Sequence, residues 1–400
     1  MISFDDALQM VMENVERLEA TRGPLAEAVG LVLATDVASD VDMPPFHKSA
    51  MDGFAVVAAD VAAVPRVLRV VEEVPAGAVP QKTICHGECA RIMTGAPVPA
   101  GADAVVRVED TEPGPAQDAV TIRKEVRKDA NICFRAEDVA RGDVVLAAGH
   151  VIRPLEVPTL AACGCVQVPV YRRPTVAVLS TGNEVVPPDR VPEAGQIRDA
   201  NAPYVAARLA RLGIAARLLG IAPDEPGRLK ELLARGMTSD VLLISGGVSM
   251  GDYDLVPGIL GELGIRLLFD SVAMQPGRPT TFGRCGRTTV FGLPGNPVSV
   301  LTVTELLVVP ALKAMMGYRQ VTAPRCKATL AESAHHRPGR LAHIPGVLTE
   351  GDAGWTVRGL PYHGSAHIHA LSRANCLLVL PAEVADVPAG AAVEVVDLRV

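Results

Sequence analysis

The chain has no basic excess. Lys and Arg number 38 against 45 Asp and Glu over 400 residues, a formal net charge of −7. That excludes a general nucleic-acid surface, because nothing is available to displace the counterions of a phosphate backbone. Anions can still be bound, but in local pockets and not by a global field. No CxxC pair occurs among the eight cysteines, and the closest two are Cys163 and Cys165. Neither a zinc site nor a disulfide framework is indicated, and the cysteines read as reduced and structural. Mean hydropathy is positive at +0.26, yet it comes from abundant Ala and Val. The longest apolar stretch, 298–312, is broken by Glu305 and falls short of the roughly 18 residues a membrane span requires. Asp5 and Asp6 stand where an export signal would carry positive charge, which predicts a cytoplasmic protein with no membrane partner. GxxxxGK[ST] and GxGxxG are both missing, excluding a P-loop nucleotidase and arguing against a dinucleotide enzyme.

What is present is a folded, multidomain composition, 49% apolar and 21% charged, with a length that implies two to four domains. Ser3 can cap a helix whose apolar positions Phe4, Leu8, Val11, Val15 and Leu18 recur at helical spacing. From 41 to about 148 the pattern changes to short β-like runs punctuated by Gly and Pro, with a short helix possible between Pro158 and Pro169. Strands at 176–179, 217–221, 241–244 and 289–292 then alternate with helices at 201–212, 225–234 and 298–315. Asn201 is placed to cap the first of these helices. This alternation predicts a parallel sheet covered on both faces, over about 174–320. Short β runs return from 323 to 400.

Ligands of open α/β sheets bind beyond the carboxyl ends of the strands. Three strand ends here carry unusual loops: Ser180-Thr181-Gly182-Asn183-Glu184, Ser245-Gly246-Gly247-Val248-Ser249-Met250-Gly251-Asp252-Tyr253-Asp254, and Leu293-Pro294-Gly295-Asn296-Pro297. Glycines admit backbone N–H groups to an anion, hydroxyls add donors, and a helix N-terminus supplies partial positive charge, so the three predict a phosphate site. Glu184, Asp199, Asp224, Asp252 and Asp254 lie in or beside these loops. Carboxylates beside phosphate point to a hard divalent cation, Mg²⁺ by default, with Glu184, Asp252 and Asp254 as its ligands. Asp199 and Asp224 can equally be helix caps. His367 and His369 fall on one face if their segment is a strand, and His335-His336 sits in a loop; two residues are too few for a metal centre.

Six motifs then occur in order: SAMDGFAV at 49–56, RIMTGAPVPAGADAVV at 91–106, STGNEV at 180–185, SGGVSMGDYD at 245–254, PGRP at 276–279 and GLPGNPVS at 292–299. Together they strongly resemble the molybdopterin molybdenumtransferases, the MoeA and gephyrin E-domain family. The resemblance implies an elongated linker domain (1–40 and 139–173), an inserted β-rich domain (41–138), a three-layer α/β/α parallel-sheet domain (174–322) and a C-terminal β-barrel (323–400). It implies a homodimer whose cleft combines the α/β loops with the partner's inserted domain. The implied reaction is Mg²⁺-dependent insertion of molybdate into adenylylated molybdopterin with release of AMP. A molybdopterin adenylyltransferase or acceptor molybdoenzymes are the implied protein partners. Carried over by motif, Asp52, Thr94, Glu184, Asp224 and Asp254 take catalytic positions. Ser180, Thr181, Gly182, Ser245, Gly246, Gly247, Ser249, Gly251, Arg278, Pro294, Gly295, Asn296, Pro297, Asp138 and Ser365 take substrate-binding ones.

The chain also departs from the family pattern. Cys133 stands where relatives usually carry Arg, Gln275 and Ser271 where they have Lys, and Asn183 where they have Asp. Lys48, Arg135, Arg198 and Arg278 remain nearby, which predicts that positive charge has moved, with Lys48 and Arg198 joining the substrate site. The missing cations motivate one rival, a non-catalytic molybdopterin carrier or scaffold. A molybdopterin adenylyltransferase is the other, since it shares the α/β domain.

Overall fold

The computed structural model describes residues 1–247, 256–352, 354–361 and 367–399. Ser3 caps the first helix, Phe4–Asn14, its Oγ accepting the Asp6 N–H at 3.0 Å. The helix ends earlier than its apolar spacing predicts. Val15 is already extended, so Val15 and Leu18 reach the core from a loop. Two ribbons follow, Ala20–Pro24 against Gln167–Tyr171 and Val37–Ala38 against Val144–Leu146. They bracket a six-stranded sheet in the order 104–107, 53–56, 88–92, 66–74, 119–122, 111–113. A short helix, Val157–Ala162, starts with Pro158 in its first turn.

The α/β sheet has six strands: β1 Val176–Thr181, β2 Ala216–Ala222, β3 Val241–Ser245, β4 Arg266–Phe269, β5 Thr281–Cys285 and β6 Thr288–Leu293. Their order is β2-β1-β3-β6-β5-β4. The β2-β1-β3-β6 part is parallel as expected, but β5 is reversed and pairs antiparallel with both β6 and β4. The sheet is therefore mixed. A tight hairpin joins β5 to β6 without a crossover helix, so no alternation marks β5 in sequence. β1, β3 and β6 are buried along their whole length, as strands covered on both faces must be. One face packs under the helices Phe4–Asn14, Asn201–Ala210 and the long helix ending at Met315. The other packs under Pro226–Gly236 and Val256–Glu262.

The long helix corrects the reading of the apolar run. Pro297–Met315 is continuous for 19 residues, including a π-helical turn at Thr304–Val308, and is long and apolar enough to span a membrane. It is instead 89% buried inside the domain. Glu305 within it accepts hydrogen bonds from Tyr204 Oη at 3.0 Å and Arg208 Nε at 2.6 Å, so the charge in the run is paired inside the core. Five strands, Arg325–Leu330, Leu341–Gly351, Gly354–Gly359, Cys376–Leu380 and Ala392–Asp397, close into the C-terminal barrel. His369 is not on a strand, since Ile368–Arg373 forms a 3₁₀ turn. His335 does lie on a strand, paired with Asp386 at 2.7 Å.

Candidate functional site

Three strand ends of the α/β sheet converge on a cavity of about 610 Å³, a size typical of small-molecule sites. β1 brings Ser180 and Thr181, β3 brings Ser245 and then Gly246, and the turn after β6 brings Gly295, Asn296 and Pro297. The 19-residue helix starts at this turn, so its unpaired N–H groups and positive dipole end border the cavity. Gly246 has φ +90, and a Cβ there would stand 2.8 Å from the Thr181 carbonyl oxygen. Gly247 has φ +62, with the Thr181 hydroxyl at the same distance from its missing Cβ. Only glycine allows this approach of backbone to strand end.

Two side chains hold the loops in place. Asp199 is buried, accepts from Ser180 Oγ at 2.6 Å, and takes the backbone N–H groups of Asn201 and Ala202 at 3.0 and 3.1 Å. It is the helix cap, and Asn201, expected in that role, is the first helical residue instead. Asn201 donates both amide hydrogens, to Ser245 Oγ at 2.8 Å and to the Gly295 carbonyl at 2.7 Å. A carbonyl can only accept, so the amide nitrogen faces Gly295 and the orientation of the group is fixed. Asn201 thereby joins the second and third loops, and Asp199 ties the first to the same helix start.

Glu184 and Arg198 also line the cavity. Among the described residues the Glu184 carboxylate makes no hydrogen bond or ion pair, and the Arg198 side chain gives only its Nε to the Arg190 carbonyl at 2.9 Å. Asp224 is drawn away. It and Asn183 exchange bonds, each backbone N–H donating to the other's side-chain oxygen at 3.2 and 3.1 Å. Gly182 borders a neighbouring cavity, Pro294 is buried behind the turn, and Arg278 is an exposed turn residue whose carbonyl accepts from Val272 and Thr280. Ser249, Gly251, Asp252, Asp254 and Ser365 lie outside the described residues. Sequence reasoning missed Gln196, Pro192 and Ile368, which line the same cavity. Ile368 comes from the C-terminal part of the chain, between His367 and His369.

A second group sits on the 53–122 sheet. Asp52 accepts the Thr94 backbone N–H and its Oγ hydroxyl, both at 2.7 Å. These two donors hold the Asp52 carboxyl below its usual range. Lys48 faces Cys133 directly across an antiparallel pair, where Cβ atoms stand about 5 Å apart. Lys48 therefore occupies the patch of position 133. Arg135 is committed to Asp42 at 2.5 Å. Asp138 stands apart, beside Met43 in a separate cavity of about 530 Å³ that reaches Pro158. No hydrogen bond or ion pair among the described residues joins the Asp52–Thr94 group to the α/β cavity within one chain.

Family models match nearly the whole chain: the MoeA N-terminal region (domain I and II) over residues 2–164, a probable molybdopterin binding domain over 177–314, and the MoeA C-terminal region (domain IV) over 327–398. A molybdopterin molybdenumtransferase of Staphylococcus aureus is 34% identical over 99% of this chain and 95% of its own length. Molybdopterin molybdenumtransferase 2 of Mycobacterium tuberculosis is 36% identical over the full length of both. The crystal structure of a molybdopterin biosynthesis MoeA protein from Pyrococcus horikoshii superposes with TM-score 0.86 at 31% identity, covering all of both chains.

Proposed function

The chain belongs to the MoeA family of molybdopterin molybdenumtransferases, enzymes of molybdenum cofactor biosynthesis, and on that premise we propose that it inserts molybdate into adenylylated molybdopterin with Mg²⁺-dependent release of AMP. One observation carries the reading. Ser180, Thr181, Ser245, Gly246, Gly295 and a helix N-terminus surround one cavity, an arrangement of donors suited to a diphosphate. Arg198 adds a guanidinium that among the described residues bonds only through Nε, and Glu184 a carboxylate with no partner among them. That unpaired carboxylate fits a hard divalent cation, and Asp252 and Asp254 are the proposed remaining ligands. Bound there, Mg²⁺ would neutralise phosphate oxygens. The protein groups bind and orient the diphosphate, while hydroxyls and backbone N–H groups stabilise charge on its oxygens.

Asp52 and Thr94 are proposed to complete the site from a second copy of the chain. A homodimer with shared sites would bring them to a cavity to which no bond among the described residues joins them within one chain. Lys48 would then supply a cation beside Asp52 for the second anion, molybdate. The same proposal places the enzyme in the cytoplasm, handing its product to an acceptor molybdoenzyme. The test is AMP release from adenylylated molybdopterin with Mg²⁺ and molybdate. Release supports the transferase. Binding without release would make the protein a carrier, and ATP-dependent formation of the adenylylated compound would make it an adenylyltransferase.

A further inference from the structure

Two helices start at the α/β cavity, Asn201–Ala210 and the long helix Pro297–Met315, and Asn201 ties their starts together through the Gly295 carbonyl. About two turns further along they are tied again. Tyr204 Oη donates to Glu305 Oε1 at 3.0 Å, and Arg208 Nε donates to the same oxygen at 2.6 Å. Asn201, Tyr204 and Arg208 stand at i, i+3 and i+7, so one face of the shorter helix makes all of these contacts. The second tie lies inside the protein, with the Arg208 and Glu305 side chains only 12% and 8% exposed. Burial also raises the Tyr204 hydroxyl well above its ordinary pKa, so it remains a donor.

The sequence accounts for where Glu305 stands. Pro310 has no N–H for the Leu306 carbonyl, and in a regular helix its ring would press on that carbonyl. The helix widens instead into the π-helical turn Thr304–Val308, closed by the Val309 N–H on the Thr304 carbonyl. Glu305 lies in that turn, and such turns recur at functional positions in helices. Stability does not explain the buried pair, because apolar residues of similar volume commonly serve a core as well or better. What the pair adds is direction, since it selects one register where apolar helix surfaces could slide. A slip of one residue would move a helix start by about 1.5 Å, against the roughly 0.5 Å within which binding groups must be held.

We propose that Tyr204, Arg208 and Glu305 are positioning residues for anion binding: by fixing the register of the two helices, they place the backbone N–H groups at both helix starts. None of the three lines the cavity. The proposal rests on the phosphate reading of that cavity and adds the residues that hold its donors in place.

The experiment measures inorganic pyrophosphate binding to the full-length protein by calorimetry, with urea denaturation alongside. Arg208→Met combined with Glu305→Leu removes both charges and leaves neither partner unpaired, so its denaturation midpoint should stay near the wild-type value. Half-buried Lys313, which also faces the pair, is retained. Pyrophosphate affinity of the double variant should fall roughly 3–10-fold, the worth of one hydrogen bond to the anion. Leu233→Ala, in the core under the opposite face of the sheet, is the control and should lose stability while keeping wild-type affinity. Wild-type affinity in the folded double variant overturns the proposal. So does an equal loss of affinity in Leu233→Ala, which would mark a general loosening of the domain. If the double variant does not fold, Tyr204→Phe decides: it deletes one hydroxyl and should weaken pyrophosphate about 3-fold, and unchanged affinity there overturns the clamp. Failure of the wild type to bind pyrophosphate would instead remove the phosphate reading, and the proposal with it.

Discussion

Replacing Asn201 by alanine and by aspartate separates two roles that the native amide combines. Alanine deletes the bonds to Ser245 Oγ and the Gly295 carbonyl. Each neutral bond contributes about 1 kcal/mol net. Gly295 is exposed, so water takes over at its carbonyl, whereas Ser245 is only 4% exposed and its lost partner is not replaced. The expected loss of stability is therefore about 1–2 kcal/mol. Aspartate keeps the shape, and Ser245 Oγ can turn to donate to it, so the bond to Ser245 returns while the one to the Gly295 carbonyl, which can only accept, does not. It also sets a negative charge in the cavity wall. At about 7 Å from a phosphate charge and an effective dielectric near 20, the repulsion is about 2 kcal/mol, roughly 30-fold in affinity. Pyrophosphate calorimetry at low and high salt, beside urea denaturation, reads both effects. Alanine should be the less stable variant and aspartate the weaker binder, with the aspartate deficit narrowing as salt screens it. Undiminished pyrophosphate affinity in Asn201→Asp would mean that no anion binds beside this residue, and undiminished stability in Asn201→Ala would mean that the amide clamps nothing.

Three further outcomes follow from single contacts. Thr94→Ala removes one of the two donors that depress the Asp52 carboxyl, so the acid limb of the activity profile should move to higher pH; an unmoved limb would separate Asp52 from the reaction. Gly246→Ala meets both a φ of +90 and the Thr181 carbonyl oxygen at 2.8 Å, and should cost about 2 kcal/mol by denaturant titration, where a neutral result would refute the close approach. His343 is fully buried against Phe4 with neither ring nitrogen bonded among the described residues, and burial lowers its pKa to about 3. Its folded value lies below the unfolded one near 6.5, so the stability present above pH 6.5 is lost as pH falls toward 3. Between pH 6.5 and 5 that loss is roughly 2 kcal/mol. In His343→Leu the difference in denaturation midpoint between pH 7 and pH 5 should shrink accordingly, and an unchanged difference would mean the ring is charged in the fold.

How far the sequence disclosed this molecule depended on whether a feature was periodic or relational. β1, β3 and β6 are continuous apolar runs ending in glycine-rich loops, and periodicity located them along with their helices. β4 is half-exposed, and β5 is joined to β6 by a short hairpin, so neither shows such a rhythm. The loop residues at the cavity were legible for the same reason as β1, being local in sequence. Asn201 was not, because its function lies in contacts with residues 44 and 94 positions away. Its local context, just before a helix, resembles that of a cap, and Asp199 takes that role because its carboxylate can accept two backbone N–H groups at once. Ile368 reaches the cavity from another part of the chain, which no local pattern announces.

An acidic chain can hold an anion because the donors at the cavity are mostly backbone and hydroxyl groups, whose charge does not enter the net balance. The nearby carboxylates must then be neutralised one by one. Asp199 is saturated by three donors, and Asp224 is tied to Asn183. Glu184 alone of these borders the cavity without a partner among the described residues, where it would repel a bound phosphate unless a cation stood between them. Glu184→Gln should therefore have opposite effects on pyrophosphate binding. Without metal, affinity should rise about 3–10-fold, as one exposed repulsion is removed. The further gain on adding Mg²⁺ should largely vanish, because the variant has lost a charged oxygen ligand. Calorimetry with and without Mg²⁺ separates the two effects. If Glu184→Gln weakens metal-free binding, the carboxylate is not opposed to the anion, and the argument for a cation at this wall fails.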